Sequence, residues 1–189
     1  MLQVSKNRCV GCGLCEDQCP ANAILIQKTI AVIDQDKCIV CGVCLAECPQ
    51  EAIKSIEGLN LNIAFGTDDK KMINEGDHFG NSTFFMVYNL SEDGMKFMEE
   101  RSNPKFQEDE SMSHGDPNKA KFVSSILKDI DMLVAQRFGP NIVRLRNKFL
   151  CVVIRNSTIE QGVDVIKDNL NKIVEENAKE DRVGIVLAP

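Results

Sequence analysis

Eight of the chain's nine cysteines fall between residues 9 and 48, in two runs that repeat each other. "CVGCGLCEDQCPANAI" (9–24) realigns on "CIVCGVCLAECPQEAI" (38–53), and both read C-x-x-C-G-x-C-x-x-x-C-P-x-x-A-I. Thiolates are soft ligands, and this spacing suits an iron–sulfur cubane. Three cysteines at short intervals let one loop wrap three corners of the cage. Gly13 and Gly42 let the backbone pass close to inorganic sulfur, so that its N–H groups can donate. The fourth cysteine, followed by proline, turns away, and in chains with this run it ligates the other cluster. We therefore assign Cys9, Cys12, Cys15 and Cys48 to one cluster, and Cys38, Cys41, Cys44 and Cys19 to the second.

Two competing uses of cysteine fit less well. Zinc sites are also built from C-x-x-C pairs, but two full runs that each close in Cys-Pro favour iron and sulfide. Disulfides are rare where thiols are kept reduced, and "MLQVSKNRC" lacks the apolar stretch of a secretory signal. The expected location is cytoplasmic. With those residues in place, 1–57 resembles a bacterial-type ferredoxin holding two [4Fe-4S] clusters, an α+β module. The resemblance implies outer strands at "LQVS" and "AIKSIE", with "AILIQKTIAVID" passing between the motifs as a hairpin. No cysteine of either run is replaced, so a [3Fe-4S] form is not suggested. So short a module buries little core, and the clusters would supply much of its folding free energy.

The remaining composition narrows the partners. A formal net charge of −6 and a pI near 5.0 oppose non-specific nucleic-acid binding, which needs a basic face. No apolar run approaches the roughly 20 residues that cross a bilayer. Neither nucleic acid nor membrane is expected as a partner. At "EGLN" (57–60) a cysteine-dense segment gives way to one holding only Cys151, so a second domain is expected over 58–189.

That second segment alternates in period. Leu59, Leu61, Ile63 and Phe65 share one side of a strand. "TFFMVYN" (83–89) and "MKFMEER" (95–101) form a strand pair that turns at Gly94. Asp116 caps a helix with Pro117 at its first position, and Ala120, Val123, Ile126 and Leu127 make its apolar stripe. "IDMLVA" (130–135) and "FLCVVI" (149–154) read as buried strands around a short Gly-Pro-initiated helix. Ser157 or Thr158 caps a long helix striped by Ile159, Val163, Ile166, Leu170 and Ile173. The order β-β-β-α-β-α-β-α implies an α/β layered domain with a mixed sheet. "RVGIVL" is left as either an edge strand or a tail, and 102–116 as a long loop.

"IAFGTDD…DHFGNSTFFMVYNL", "VAQRFGPNIVRL" and the capped "TIEQGVDVI" helix resemble the dinitrogenase iron–molybdenum cofactor biosynthesis family, the NifX-like domain. The resemblance spans about 60–176. It implies a ribonuclease-H-like, five-stranded mixed sheet and a role in binding or carrying iron–sulfur or heterometal clusters, without catalysis of its own. By this resemblance His78-Phe79-Gly80 matches the family's "HFG" and 137–140 its "RFGP" turn. The loop before His78 is longer than usual, with Glu75-Gly76-Asp77, and the family's His-rich loop shrinks to His114.

Sheet geometry points to the same corner. In open α/β sheets ligands sit beyond the C-terminal strand ends where strand order reverses. For an order 3-2-1-4-5 that place lies between the strands ending at Phe65 and Ala135. Gly66, Thr67 and His78 flank it on one side, Arg137 and Gly139 on the other. Arg137, backbone N–H groups and a histidine can hold an anionic thiometallate without cysteine. The plainer reading has His78 hydrogen-bonded within its loop, His114 and the acids Asp68, Asp69, Glu75 and Asp77 solvated, and Cys151 and the methionines as core filler.

The expected function is an iron–sulfur protein that transfers electrons and binds a metallocluster or its precursor, with a redox partner protein or cluster acceptor. The alternative is an oxidoreductase subunit whose second domain docks a partner and binds no metal. A metal-dependent nuclease is disfavoured, because Asp68-Asp69 supply no further placed acid for Mg²⁺, and fold alone is no warrant.

Overall fold

The computed structural model describes residues 1–188 except Asn7, 56–57, 75–77, 107–114 and Asn156. The Glu75-Gly76-Asp77 insertion, His114 and the end of the "AIKSIE" strand lie outside the described residues. The chain divides into two compact units, Met1–Leu59 with Glu92–Gly94, and Asn60–Ser91 with Met95–Pro189.

The repeat shapes the first unit. β1 (Leu2–Val4) leads to the first cysteine loop and α1 (Leu14–Asp17), and β2 (Ile24–Gln27) and β3 (Ile30–Ile33) form a hairpin. The second loop and α2 (Val43–Glu47) follow, and β4 (Ile53–Ser55) returns antiparallel to β1. Lys28 and Thr29 both adopt left-handed backbone, with φ of 47° and 65°. Such a two-residue turn matches the twist of the strands it joins. Each short helix begins at a left-handed glycine, Gly13 or Gly42, with φ of 85° and 80°, a conformation in which a side chain would be strained. Leu2, Ile24, Ala31 and Ile53 pack with Cys15 and Cys44 into a small core.

The second unit is a mixed sheet between helices. Its elements are β5 (Asn60–Thr67), β6 (Phe84–Ser91), β7 (Gly94–Ser102), α3 (Pro117–Ile126), β8 (Met132–Ala135), α4 (Ile142–Leu145), β9 (Leu150–Ile154), α5 (Ile159–Asp168), α6 (Leu170–Asn177) and β10 (Ile185–Leu187). The strands lie in the order β10-β9-β8-β5-β6-β7. β10, β9, β8 and β5 run parallel, and β6 pairs antiparallel with β5. α3 and α4 cover one face, where Val123, Leu127 and Leu145 meet Ala64, Phe85, Leu133 and Cys151. On the other face α5 presses Gly162 so close to Phe65 that a Cβ there would lie 3.0 Å from the ring.

The helix starts follow their chemistry. Asp116 accepts from the Asn118 N–H at 2.7 Å ahead of Pro117. Thr158 and Gln161 exchange side-chain and backbone hydrogen bonds of 2.9 and 3.1 Å, so two otherwise unpaired N–H groups are satisfied. The long helix breaks at Asn169 into α5 and α6. Within α5, Val165 is buried and Val163 only half-buried, a shift of the expected stripe.

The sheet has six strands where five were expected. The reason lies in Glu176, an enclosed acid that the apolar pattern does not reveal. Its carboxylate accepts from the Val183 and Gly184 N–H groups at 2.8 and 3.1 Å and from Lys179 at 2.6 Å. Chain 182–184 is thereby held beside β9, and "IVL" completes the edge in parallel register, Ile185 opposite Val152.

Candidate metallocluster sites

Each cysteine run builds three walls of a hollow, and the other run closes it. Cys9, Cys12, Cys15 and Cys48 surround one, with Val10, Leu14, Ile26, Ala31 and Ile53. Cys38, Cys41, Cys44 and Cys19 surround the other, with Leu2, Pro20, Ile24, Ile39 and Val43. Cys19 and Cys48 lie past the last residues of α1 and α2, and each is followed by a proline that cannot continue a helix. No three His, Cys, Asp or Glu side chains among the described residues converge on one metal ion's position. The thiols stand around a space instead.

The donor set fits an iron–sulfur cluster. Cys15 and Cys44 are buried and Cys12 and Cys41 exposed. Burial first, and neighbouring thiolates besides, push the Cys15 and Cys44 thiols above their ordinary range. Four thiolates crowded in an apolar hollow repel one another, and bound iron relieves that repulsion. Backbone N–H groups already point at the sulfurs: Ala31 at Cys9, Ala52 at Cys48 and Ala23 at Cys19, each at 3.3 Å. Cys151 is different. Burial pushes its thiol up to about 12, and it packs in the sheet as a small apolar residue.

In the second unit, three loops meet beyond the C-terminal ends of β5, β8 and β9. Phe79 N–H donates to the Arg137 carbonyl at 3.2 Å, joining the "HFG" turn to the "RFGP" turn. Gln136 reaches the Ile73 carbonyl at 2.8 Å. Ile73 and Ile159 N–H groups bond to Ser157 and Lys71 carbonyls, tying the first loop to the start of α5. Phe79 lies between Phe85 and Phe138, with ring centroids 4.9 and 5.5 Å away. These apolar contacts set the height of the His78 backbone over the sheet.

The sequence-predicted residues divide in this structure. His78 is half-buried, its Nδ1 shut away from solvent. The ring lies against Gly139, where a Cβ would be 2.5 Å from His78 Cδ2. Arg137 is exposed and contributes its carbonyl to the junction. Gly66 lets Ser82 and Phe79 approach, since a Cβ there would meet Ser82 Oγ at 2.5 Å. Thr67 is fully buried, and its hydroxyl accepts from Lys70 N–H and donates to Asp69. It thus braces the loop. The two acids do likewise: Asp68 accepts from Thr83, and Asp69 from Lys71 and Met72 N–H groups, which hold its carboxyl below the ordinary range.

Three supporting residues carry no signal in the sequence. Asn74, Ser82 and Asn103 are buried polar groups. Asn74 donates to Ser82 Oγ at 3.2 Å, and Asn103 donates to the Gly80 and Ser82 carbonyls at 3.1 and 2.7 Å. Isolated Asn and Ser in loops are common, and only convergence in space distinguishes these.

Paired four-cysteine hollows in a small α+β unit define an iron–sulfur protein. The comparisons agree. Residues 8–52 match the 4Fe-4S dicluster domain, and residues 60–180 match the family described as dinitrogenase iron-molybdenum cofactor. The chain belongs to that dinitrogenase iron-molybdenum cofactor family and carries the dicluster domain ahead of it. It is an iron–sulfur protein tied to metallocluster handling. No curated protein matches it. Among solved structures, a chain from adenosine 5'-phosphosulfate reductase in complex with substrate is similar at 19% identity and a TM-score of 0.29, over 57% of this chain and 75% of that one. No described helix is long and apolar enough to cross a membrane.

Proposed function

We propose that the chain passes electrons through two [4Fe-4S] clusters in its first unit and binds a metallocluster, or its precursor, in its second. It acts as a carrier without catalysis of its own, handing cargo to an acceptor protein. The observation that carries the second half is the junction of the "HFG" and "RFGP" turns at the ends of parallel strands, the usual place for ligands in such sheets. His78 would ligate through Nε2, since Nδ1 is enclosed. Arg137 and loop N–H groups would balance an anionic cargo. Gly139 and Gly66 act by permitting the close packing that places the histidine. The bound clusters supply one-electron chemistry, and the protein's part is ligation, burial and hydrogen bonding.

The test is an iron and acid-labile sulfide count on the anaerobically purified full chain, before and after incubation with a thiomolybdate or iron–sulfur donor. About eight irons are expected for two cubanes, with further metal taken up on incubation. His78→Ala with Arg137→Ala should keep the eight and lose the uptake. Equal uptake by that variant would remove the proposed site. No uptake by either protein would favour a docking role for the second unit.

A further inference from the structure

The first turn of α3 touches both turns that meet at the candidate site. Lys119, in that turn, is buried and donates through Nζ to Asn81 Oδ1. The Asn81 N–H in turn donates to the His78 carbonyl at 2.8 Å, so this grip bears on the "HFG" turn as a whole. Asn141, which follows "RFGP", donates through Nδ2 to the Asp116 carbonyl at 3.0 Å. Arg144 donates to Asn141 Oδ1 at 3.0 Å, which sets the edge of the amide that faces Asp116. Asp116 is the cap of α3 and Lys119 lies in its first turn, so one rigid helix start is bonded to the residue after each motif.

Lysine is a costly choice at this place. Buried lysines are rare, and a cation in the first turn of a helix opposes the helix dipole. The stem lies in an apolar setting, since Lys119 Cε and Val123 Cγ2 would stand 3.4 and 3.9 Å from a Cβ on Gly80. Methionine would fill that space as well. What lysine adds is a donor that reaches Asn81, and costly placements of this kind are kept where function needs them. The middle of the "HFG" turn is pinned by other means. Phe79 lies between Phe85 and Phe138, and the Gly80 carbonyl accepts from Asn103. The grip of Lys119 therefore acts at the end of the turn that returns to the His78 carbonyl.

Building on the reading above that His78 and Arg137 hold cargo, we infer that Lys119 and Asn141 are positioning residues of that site. Acting from the start of α3 through Asn81 and Asp116, they set the separation of the "HFG" and "RFGP" turns, and so the fit of a cluster between His78 and Arg137.

The experiment uses the full-length, cluster-loaded protein and two readouts. One is the Hε1 proton NMR signal of His78, one of two histidines, assigned with His78→Gln. The other is affinity for tetrathiomolybdate, followed by its visible absorption. Lys119→Met and Asn141→Ala should each move the His78 signal and weaken uptake by about 10-fold or more, the usual effect of losing a residue that orients a ligand. The urea midpoint of Lys119→Met should hold, because methionine is close to lysine in volume. Lys119→Arg keeps a donor on a long stem and should restore the signal. The double variant should lose less than the two single losses multiplied, since both act on one spacing. An unmoved His78 signal in both single variants overturns the proposal. So does a loss of uptake in Lys119→Met that a lowered midpoint accompanies and arginine does not rescue, which is a structural role only. A wild-type protein that takes up no tetrathiomolybdate removes the cargo reading beneath, while the His78 signal still decides whether α3 positions the turn.

Discussion

Replacing Gly139 by alanine tests whether the two turns of the second unit act as one site. The added Cβ would stand 2.5 Å from His78 Cδ2, 2.9 Å from Cγ and 3.2 Å from Cβ. The last two atoms lie near the histidine backbone, so rotating the ring alone does not clear the clash. Either the "HFG" turn or the "RFGP" turn must move, against the Phe79–Arg137 hydrogen bond and the Phe79–Phe138 ring contact. Overpacking of this kind costs about 1–3 kcal/mol. Tyr88 is the only tyrosine, and there is no tryptophan. Because Tyr88 lies in β6 against Phe65, its fluorescence during urea unfolding reports the second unit alone. Gly139→Ala should lower the midpoint accordingly and reduce uptake of the incubated cluster. Gly80→Ala, two residues from His78, is the control: its Cβ would meet Lys119 Cε at 3.4 Å and Val123 Cγ2 at 3.9 Å, both ordinary contacts, so a change within about 0.5 kcal/mol is expected. If Gly139→Ala were as mild as Gly80→Ala, the packing of His78 on the second turn would not be what positions it.

Two further outcomes follow from buried groups elsewhere. Glu176 holds β10 through Lys179 and the Val183 and Gly184 N–H groups, and the Lys179 bond above all keeps its carboxyl below the ordinary 4.5. A lowered folded-state value means the contribution is whole above about pH 4.5 and fades as pH falls through the depressed one. Glu176→Gln should therefore destabilise the second unit at pH 7, with the difference from wild type shrinking in acid, as read by Tyr88 unfolding curves. Cys151, pushed by burial to about 12, should resist alkylation at pH 8 in the folded, cluster-loaded protein and react only after denaturation. Mass spectrometry of the peptide gives the answer, and rapid labelling of the native chain would contradict the inert, packed thiol described here.

How much of this was legible in the sequence depends on what kind of signal each feature leaves. The grouping of the cysteines around two hollows leaves its signal along the chain, because ligand spacing is itself the message: loop, helix start and Cys-Pro exit repeat residue for residue. The strands and helix caps of the second unit were legible for the same local reasons, including Thr158 with Gln161 and Asp116 with Pro117. The sixth strand was not. "RVGIVL" alone is as much a tail as an edge, and its placement depends on a buried carboxylate seven residues upstream of Val183. Thr67 was read as a candidate contact because it stands at a strand end. Its hydroxyl is consumed by Asp69 and Lys70, a bond that no local pattern announces. Asn74, Ser82 and Asn103 were invisible because their meaning arises only where distant loops converge.

This division in legibility parallels a division in chemistry. Thiolate ligands grip tightly and must be spelled out along the chain, so resident clusters leave a motif. On the proposed reading the second unit must also release what it binds. A single histidine, an exposed arginine and backbone N–H groups give weaker, separable contacts, each contributing on the order of 1–3 kcal/mol. Several such contacts together reach affinities suited to loading and transfer, without the permanence of four thiolates. Residues of that kind need no fixed spacing, because a sheet edge brings them together. On that same proposed reading, contacts of this kind would let cargo leave the second unit while clusters held by the eight cysteines of the first unit stay.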